Sequence, residues 1–587
     1  MAVPVEVARR MPVVKKSLTV CLALALVCPP GLRAQDPPSP RPPKLLVLLV
    51  VDQMRGDYYQ LYGGNWTGGL ARLYQRGARF EHAAYPYFNT VTCAGHATIG
   101  TGTFPSTHGM VLNGWWDRKS SRVVSCTDDP HTALIGYGDG APTGNGNSPM
   151  KLLAPTLASE LKTQRPAARI VSLSLKARSA MMLAGRMADA VTWFESDNGL
   201  WVTSTAYAQQ RVPFEEQFFR ANPVAADFRR VWKPRMHRKA YLYRDNGHGE
   251  KPPGAWFTVF PHRLRGEERM QSPGPDFYSA WAASPYSDAY LARLAQATVE
   301  HMGLGKGQST DMLAVSFSAL DMVGHSFGPR SHEVQDVLAS LDATIGVLLA
   351  YLDNAVGPEN YVVALTADHG VADIPEQLKK NGVDAGRVIT NEISESIENL
   401  LKARWGPGKY IARHLYTDLY LQPGVYDRLM GDPQTWKLVR ETVLAIPGVY
   451  RVFAREEILA CPDTGDPVMI SVKRSFHHER SGDLVLTPKQ NWFFVNASRS
   501  NPPGAAATHG TGHPYDTRVP VILFGAGIRP GGYPGAASPA DIAPTYAALA
   551  AIHFPKTDGR VLSEALLGAK RAGWRDDDAG SAPPPQP

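Results

Sequence analysis

A short aliphatic run that ends in a carboxylate constrains this chain more than any other feature. Residues 44–51 read Lys-Leu-Leu-Val-Leu-Leu-Val-Val and stop at Asp52. A continuous rather than alternating apolar run is the pattern of a strand buried on both faces. Similar runs follow at 170–175, 312–317, 361–366 and 519–524. Helix-like stretches lie between them, such as 155–163 and 332–352. This alternation predicts an α/β fold: a doubly wound, mostly parallel sheet with helices on both faces. Such a fold places its site beyond the carboxyl ends of the strands.

Two regions interrupt the alternation. Residues 200–285 are rich in aromatics, among them Trp201, Phe219, Trp232, Trp256 and Trp281, without helical or strand periodicity. They read as a loop-rich insertion whose aromatics pack, with a few available to line a substrate mouth. Residues 381–500 read as a small α+β insertion. There 415–421 alternates as one strand, 435–445 has helical spacing that stops at Pro447-Gly448, and 449–453 returns as a strand. The expected organisation is a leader at 1–34, a proline-rich linker at 35–43, core at 44–380, the α+β insertion at 381–500, core again at 501–570, and a disordered tail at 571–587.

The leader carries Lys15 and Lys16 before an apolar core from Leu18 to Val27, with Leu32-Arg33-Ala34 as a cleavage site; Met11 is an alternative start. It predicts a secreted or periplasmic protein with no membrane span. Three cysteines then remain, Cys93, Cys126 and Cys461, so one intrachain disulfide can form, and Cys93–Cys126 is the expected pair. Without the five basic residues and one acid of the leader, the net charge of +7 falls to about +3. That balance gives no nucleic-acid surface. The oligomeric state is not legible.

The chemistry centres on Thr92, in Thr90-Val91-Thr92-Cys93-Ala94-Gly95-His96-Ala97-Thr98. A hydroxyl at a helix start sits where free N–H groups and the helix dipole favour a phosphoryl or sulfuryl oxygen. Alone, Thr92 would be read as a helix cap. The rest of the chain changes that weighting. Asp52 ends the first strand, and Asp321 and His325 stand four apart on one helical face. Asp368-His369-Gly370 closes another strand, and Thr508-His509-Gly510 opens a late loop. Each piece has an ordinary reading as a turn or cap. Together, Asp52, Asp368, His369, Asp321, His325 and His509 with Thr92 suffice for two zinc ions clamping an in-line displacement. His513, close to His509, could exchange with it.

These residues resemble the alkaline phosphatase superfamily. Within it they resemble the type I phosphodiesterase/nucleotide pyrophosphatase group, most of all its threonine-dependent bacterial alkaline phosphatases. The resemblance runs from about 44 to 566. It rests on Val51-Asp52-Gln53-Met54-Arg55, Gly95-His96-Ala97-Thr98, Gly102-Thr103-Phe104-Pro105, His108-Gly109, Thr366-Ala367-Asp368-His369-Gly370 and Asp558-Gly559-Arg560. It implies that Thr92 is the nucleophile. Asp321, His325 and His509 would hold one Zn2+; Asp52, Asp368 and His369, with Thr92, the other. It also implies that Asn113, Lys176 and Arg178 donate to phosphoryl oxygens.

The Lys176/Arg178 pair bears on the substrate. A phosphate monoester brings two charges and three free oxygens, which suit charge-assisted donors. A diester brings one charge and a second organic group. The expected activity is therefore monoester hydrolysis of small phosphate esters through a phosphothreonine. The rivals are a phosphodiesterase or nucleotide pyrophosphatase on the same scaffold, and a non-catalytic metal-binding homologue.

Overall fold

The computed structural model describes residues 41–254, 256–266, 269–496 and 504–568. The leader, most of the linker and the C-terminal tail lie outside the described residues. The main sheet has ten strands: β1 Leu45–Val51, β2 Ala78–Ala83, β3 Leu134–Tyr137, β4 Ile170–Ser174, β5 Ala190–Glu195, β6 Leu200–Ser204, β7 Asp311–Phe317, β8 Tyr361–Thr366, β9 Val521–Gly525 and β10 Gly531–Ala537. Their order is β10-β2-β9-β8-β1-β7-β4-β5-β6-β3. The centre, β8-β1-β7-β4-β5, is parallel throughout. Antiparallel pairs appear toward the edges, where β9 joins β8 and β2, and β6 joins β5 and β3.

The continuous apolar run becomes the middle strand for a packing reason. Successive side chains of a strand point to opposite faces. In β1, Leu45, Val47, Leu49 and Val51 enter one apolar core, while Leu46, Leu48 and Val50 enter the other. No residue of β1 can be polar without breaking one layer, so the first carboxylate appears only where the strand ends.

Four helices matter for the site: α1 Thr92–Thr101, α2 Ala177–Ala184, α3 Ala319–Phe327 and α4 His332–Ala355. Among the described residues α4 alone is long and apolar enough to cross a membrane. Its buried face also carries Glu333, Gln335, Asp336 and Asp342, as befits a helix packed within the fold.

The aromatic stretch departs from its expected loop character: Leu200–Ser204 is β6 of the main sheet, and Pro213–Ala221 and Pro275–Ala282 are helices. Trp201, Phe219, Trp232, Trp256 and Trp281 are buried in one apolar core, so they pack. The 381–500 stretch folds around a core of its own. Its four-stranded sheet runs in the order Ile411–Leu415, Asp418–Leu421, Leu484–Pro488, Val449–Ala454, with helices Thr390–Trp405 and Pro433–Leu444. The single strand expected at 415–421 is instead a hairpin. Leu415 pairs with Asp418, and Tyr416, at φ 52°, makes the turn between them.

Candidate metal and phosphoryl site

The site is built at the carboxyl ends of three adjacent strands. Asp52 follows β1, Asp321 and His325 lie on α3 just past β7, and Asp368-His369 follow β8. His509 arrives from the loop before β9. Two groups form whose ligand atoms all lie within 4.8 Å of one another: Asp321, His325 and His509, and Asp52, Asp368 and His369. The first is tied by His325 Nε2 to Asp321 Oδ1 at 3.2 Å and His509 Nε2 to the same oxygen at 3.9 Å. In the second, His369 Nε2 lies 3.5 Å from Asp52 Oδ1 and 3.3 Å from Asp368 Oδ2. The rings of His369 and His509 stack with centroids 3.5 Å apart, which joins the groups.

The imidazoles share one arrangement. His325 Nδ1 faces Ala507 O at 2.9 Å, His369 Nδ1 faces Gly370 O at 3.0 Å, and His509 Nδ1 faces Thr90 O at 2.8 Å. A carbonyl accepts only, so each Nδ1 carries a proton and each Nε2 is the atom turned toward the carboxylates and available to a metal. His513 is turned away, its Nε2 toward Pro488 O at 3.1 Å, which leaves His509 as the converging imidazole.

The charge is unbalanced without cations. Asp52, Asp321 and Asp368 are buried. Asp52 Oδ1 and Asp368 Oδ2 accept no hydrogen bond. Lys176 reaches Asp52 and Asp321, a single positive charge against three carboxylates, and burying carboxylate charge without full compensation costs on the order of several kcal/mol. Burial, then Asp321 and Asp368, pushes the Asp52 carboxyl well above its ordinary range. Burial acts the same way on Asp321, but Lys176 and His325 outweigh it and hold that carboxyl well below. Burial and the neighbouring imidazoles hold His509 well below the usual histidine range, so it is neutral. Orphaned carboxylate oxygens beside neutral imidazole nitrogens suit a pair of divalent ions, zinc included.

Thr92 is the first residue of α1, with Val91 in the extended cap position. Its hydroxyl caps nothing; Oγ1 lies 3.4 Å from His369 Nε2. A close approach fixes the helix there, since a Cβ on Gly95 would stand 2.2 Å from Asp368 O. Asn113 Oδ1 accepts the Cys93 backbone N–H at 2.8 Å, which leaves its NH2 as the remaining donor of that side chain. The Cys93–Cys126 disulfide is present, and Cys461 is free and buried. Lys176 Nζ lies 2.5 Å from both Asp52 Oδ2 and Asp321 Oδ2. Here it bridges the two ligand groups, because buried carboxylates attract the nearest ammonium. Arg178, second residue of α2, has a buried Nε without a hydrogen-bond partner.

Two residues without an assigned role complete the frame. Gln53, at φ 69°, donates its backbone N–H to Asp368 Oδ1 at 3.1 Å and its Nε2–H to Asp321 Oδ1 at 2.7 Å, one ligand of each group. His96 lies between Thr92 O, Ser316 Oγ and Asp368 Oδ2. Both fall inside the sequence signatures, but nothing in residue type alone separates a ligand from its supporter. The distant signature Asp558-Gly559-Arg560 also folds back: Asp558 Oδ2 accepts from Phe104 N at 2.7 Å and Thr107 Oγ1 at 3.0 Å.

The chain is similar to known proteins along most of its length. The chain is 31% identical over 543 residues to alkaline phosphatase PhoK of Sphingomonas sp, covering 89% of this chain and 91% of that protein. It is 28% identical over 539 residues to alkaline phosphatase PafA of Elizabethkingia meningoseptica, covering 89% and 94%. The crystal structure of PafA superposes with TM-score 0.80 at 27% identity, over 90% of this chain and 99% of that one. A PafA variant substituted at one threonine, one asparagine, one lysine and one arginine superposes with TM-score 0.79. The sequence model of type I phosphodiesterase/nucleotide pyrophosphatase matches residues 46–516, and the chain belongs to that family.

Proposed function

We propose that this protein is a metal-dependent alkaline phosphatase that hydrolyses phosphate monoesters through Thr92. The observation that carries the reading is the shared tautomer of His325, His369 and His509, whose Nε2 atoms converge with three carboxylates beside the Thr92 hydroxyl. The relatives are alkaline phosphatases by name. The four residue types altered in the PafA variant recur here, in the same chain order, as Thr92, Asn113, Lys176 and Arg178.

When bound, two zinc ions at these ligands supply Lewis acidity and lower the pKa of coordinated oxygens. Thr92 Oγ attacks phosphorus as its proton passes to solvent, the P–O bond to the alcohol breaks opposite it, and the departing oxygen takes up a proton from water. The product is a phosphothreonine, which water then hydrolyses to inorganic phosphate, restoring the hydroxyl. Asn113 donates from its NH2 group. Arg178 meets a second oxygen with its guanidinium. Lys176, on a flexible stem, exchanges its carboxylate partners for the dianionic phosphoryl group. The buried disulfide fits an oxidising compartment, in keeping with a secreted or periplasmic enzyme.

The test is an assay of zinc-loaded protein on p-nitrophenyl phosphate and bis-p-nitrophenyl phosphate, with metal analysis of Thr92→Ala. Preference for the monoester, and a variant that keeps metal but loses turnover by at least ~10³-fold, is the expected result. Preference for the diester favours the phosphodiesterase reading. A Thr92→Ala protein of full activity removes Thr92 from the chemistry.

A further inference from the structure

Residues 229–244 carry seven lysines and arginines and no acid. That charge equals the formal net charge of the whole chain, +7, and it falls within sixteen residues. A charged surface segment normally mixes both signs. Here Arg230 alone has an acidic partner among the described residues, Asp227 at 2.7 Å. Lys233, Arg235, Arg238, Lys239 and Arg244 are exposed and form no ion pair among the described residues.

The segment is held in place. Asp336, buried on α4, gathers it: its carboxylate accepts from Trp232 Nε1 at 2.7 Å and from Arg235 N at 2.6 Å, and the Tyr241 hydroxyl donates to it as well. Gln335 Nε2 donates to Ala240 O at 2.7 Å, and Leu242 N donates to Gln335 Oε1 at 3.0 Å. Folding thus fixes a block of like charge whose mutual repulsion opposes it.

Exposed apolar side chains border this block. Phe257 is 76% exposed, more than any other large apolar residue among the described ones, and Leu242 and Val259 are 54% and 38% exposed. The Trp232 ring lies 5.8 Å from that of Trp256 and 5.1 Å from that of Phe260, so Lys233 and Phe257 each adjoin one cluster of packed rings. Thr258 Oγ1 donates to Asn246 Oδ1 at 2.8 Å, and Phe260 N to Asp245 Oδ1 at 3.4 Å. These bonds bring the 257–259 turn against the segment that follows Arg244. Packing accounts for Trp232 and Trp256, which are buried; it does not account for Phe257, left open at the edge of the same cluster.

We infer that the face formed by residues 233–244 and 257–259 docks this protein onto a bilayer that contains anionic lipid. The basic side chains meet headgroup phosphates, and Phe257, with Leu242 and Val259, enters the apolar boundary beneath them. A nucleic acid offers phosphates but no such apolar layer, so the open apolar side chains favour the bilayer. The docking face shares no residue with the metal and phosphoryl site and does not depend on the chemistry at Thr92.

The experiment is co-sedimentation of the full chain with vesicles of phosphatidylcholine alone and of an equal mixture with phosphatidylglycerol, beside binding to a single-stranded oligonucleotide. The proteins are the native chain, the triple variant Arg235→Gln/Arg238→Gln/Lys239→Gln, and Phe257→Ser. The native chain is expected to prefer the mixed vesicles and to lose them as salt is added. Each basic side chain near an anionic surface is worth about fivefold in affinity, so the triple variant should bind the mixed vesicles about 10²-fold more weakly. Phe257→Ser should lose about tenfold. Every substituted side chain is exposed, so thermal unfolding should be nearly unchanged; Arg238→Gln and Phe257→Ala replace any variant that melts early. No preference for the mixed vesicles overturns the inference, and so does equal binding by all three proteins, as residues 1–34 alone would give. A loss confined to the charge variant, with Phe257→Ser unchanged or with the oligonucleotide bound more tightly than the vesicles, overturns it in favour of a soluble polyanion.

Discussion

The backbone N–H of Cys93, the residue after Thr92, donates to Asn113 Oδ1 at 2.8 Å. The backbone N–H of Cys126 donates to the carbonyl of the same Asn113 at 3.0 Å. Both partners of the disulfide therefore hold one residue, and the covalent link closes a loop that contains it. Replacing both cysteines by alanine is expected to destabilise the protein by about 2–4 kcal/mol in denaturant titration. It should also slow turnover of p-nitrophenyl phosphate. In an Asn113→Ala background the same replacement should leave turnover nearly unchanged, since the group being held is gone. Equal losses in both backgrounds would show that the disulfide acts on something other than Asn113.

Gln53 touches one carboxylate of each ligand group, through its backbone and through its side chain. Residues that orient ligands in this way typically contribute about 10–100-fold to metal affinity. Gln53→Ala removes the bond to Asp321 while keeping the backbone bond to Asp368. Competition with a chelator should show weaker binding at one of two sites. Equal weakening at both would mean that Gln53 supports the frame as a whole.

In the proposed mechanism Lys176 and Arg178 supply positive charge to a dianionic phosphoryl group. Their alanine variants should lose about 10²-fold in kcat/KM on phosphate monoesters and clearly less on diesters, which carry one charge fewer. Losses of the same size on both classes would remove these two residues from substrate discrimination.

Far from the site, Glu215 is buried against Thr192 in β5, with bonds of 2.9 and 3.0 Å to its hydroxyl. Burial pushes its pKa up to about 7 from 4.5. The folded state thus holds its proton more tightly than the unfolded chain. Stability from this group is complete below pH about 4.5, falls as pH rises toward about 7, and stays lower above that. Glu215→Gln cannot ionise. Denaturant titrations should find the variant gaining on the native protein by a few kcal/mol between those limits, with a constant difference at higher pH. A difference independent of pH would mean that Glu215 is already charged in the folded state.

Four strands of the parallel centre, β1, β4, β7 and β8, are readable in the sequence because they are buried on both faces and stay largely apolar, whereas β5, Ala-Val-Thr-Trp-Phe-Glu, has no aliphatic run and is not among the expected strands. The ligands were readable because Asp and His at strand ends are uncommon in such numbers. Other features left fainter marks. Leu200–Ser204 was not separable from the aromatic stretch because its neighbours in the sheet are antiparallel and its residues mix Trp, Thr and Ser. The hairpin at Tyr416 was read as one strand because alternation persists on both sides of the turn, and no glycine or asparagine marks it. Lys176 was placed by its type and strand-end position, but its bridge between Asp52 and Asp321 depends on charges brought together from distant segments. Gln53 carried no chemical signal of its own.

The two ligand groups differ in how much chain each requires. Asp52, Asp368 and His369 are all in hand once synthesis has passed residue 369, whereas the partner group waits for His509, beyond the whole inserted stretch. A growing polypeptide therefore presents the side chains of the two groups one set after the other, and a truncated product ending in the insertion would lack His509.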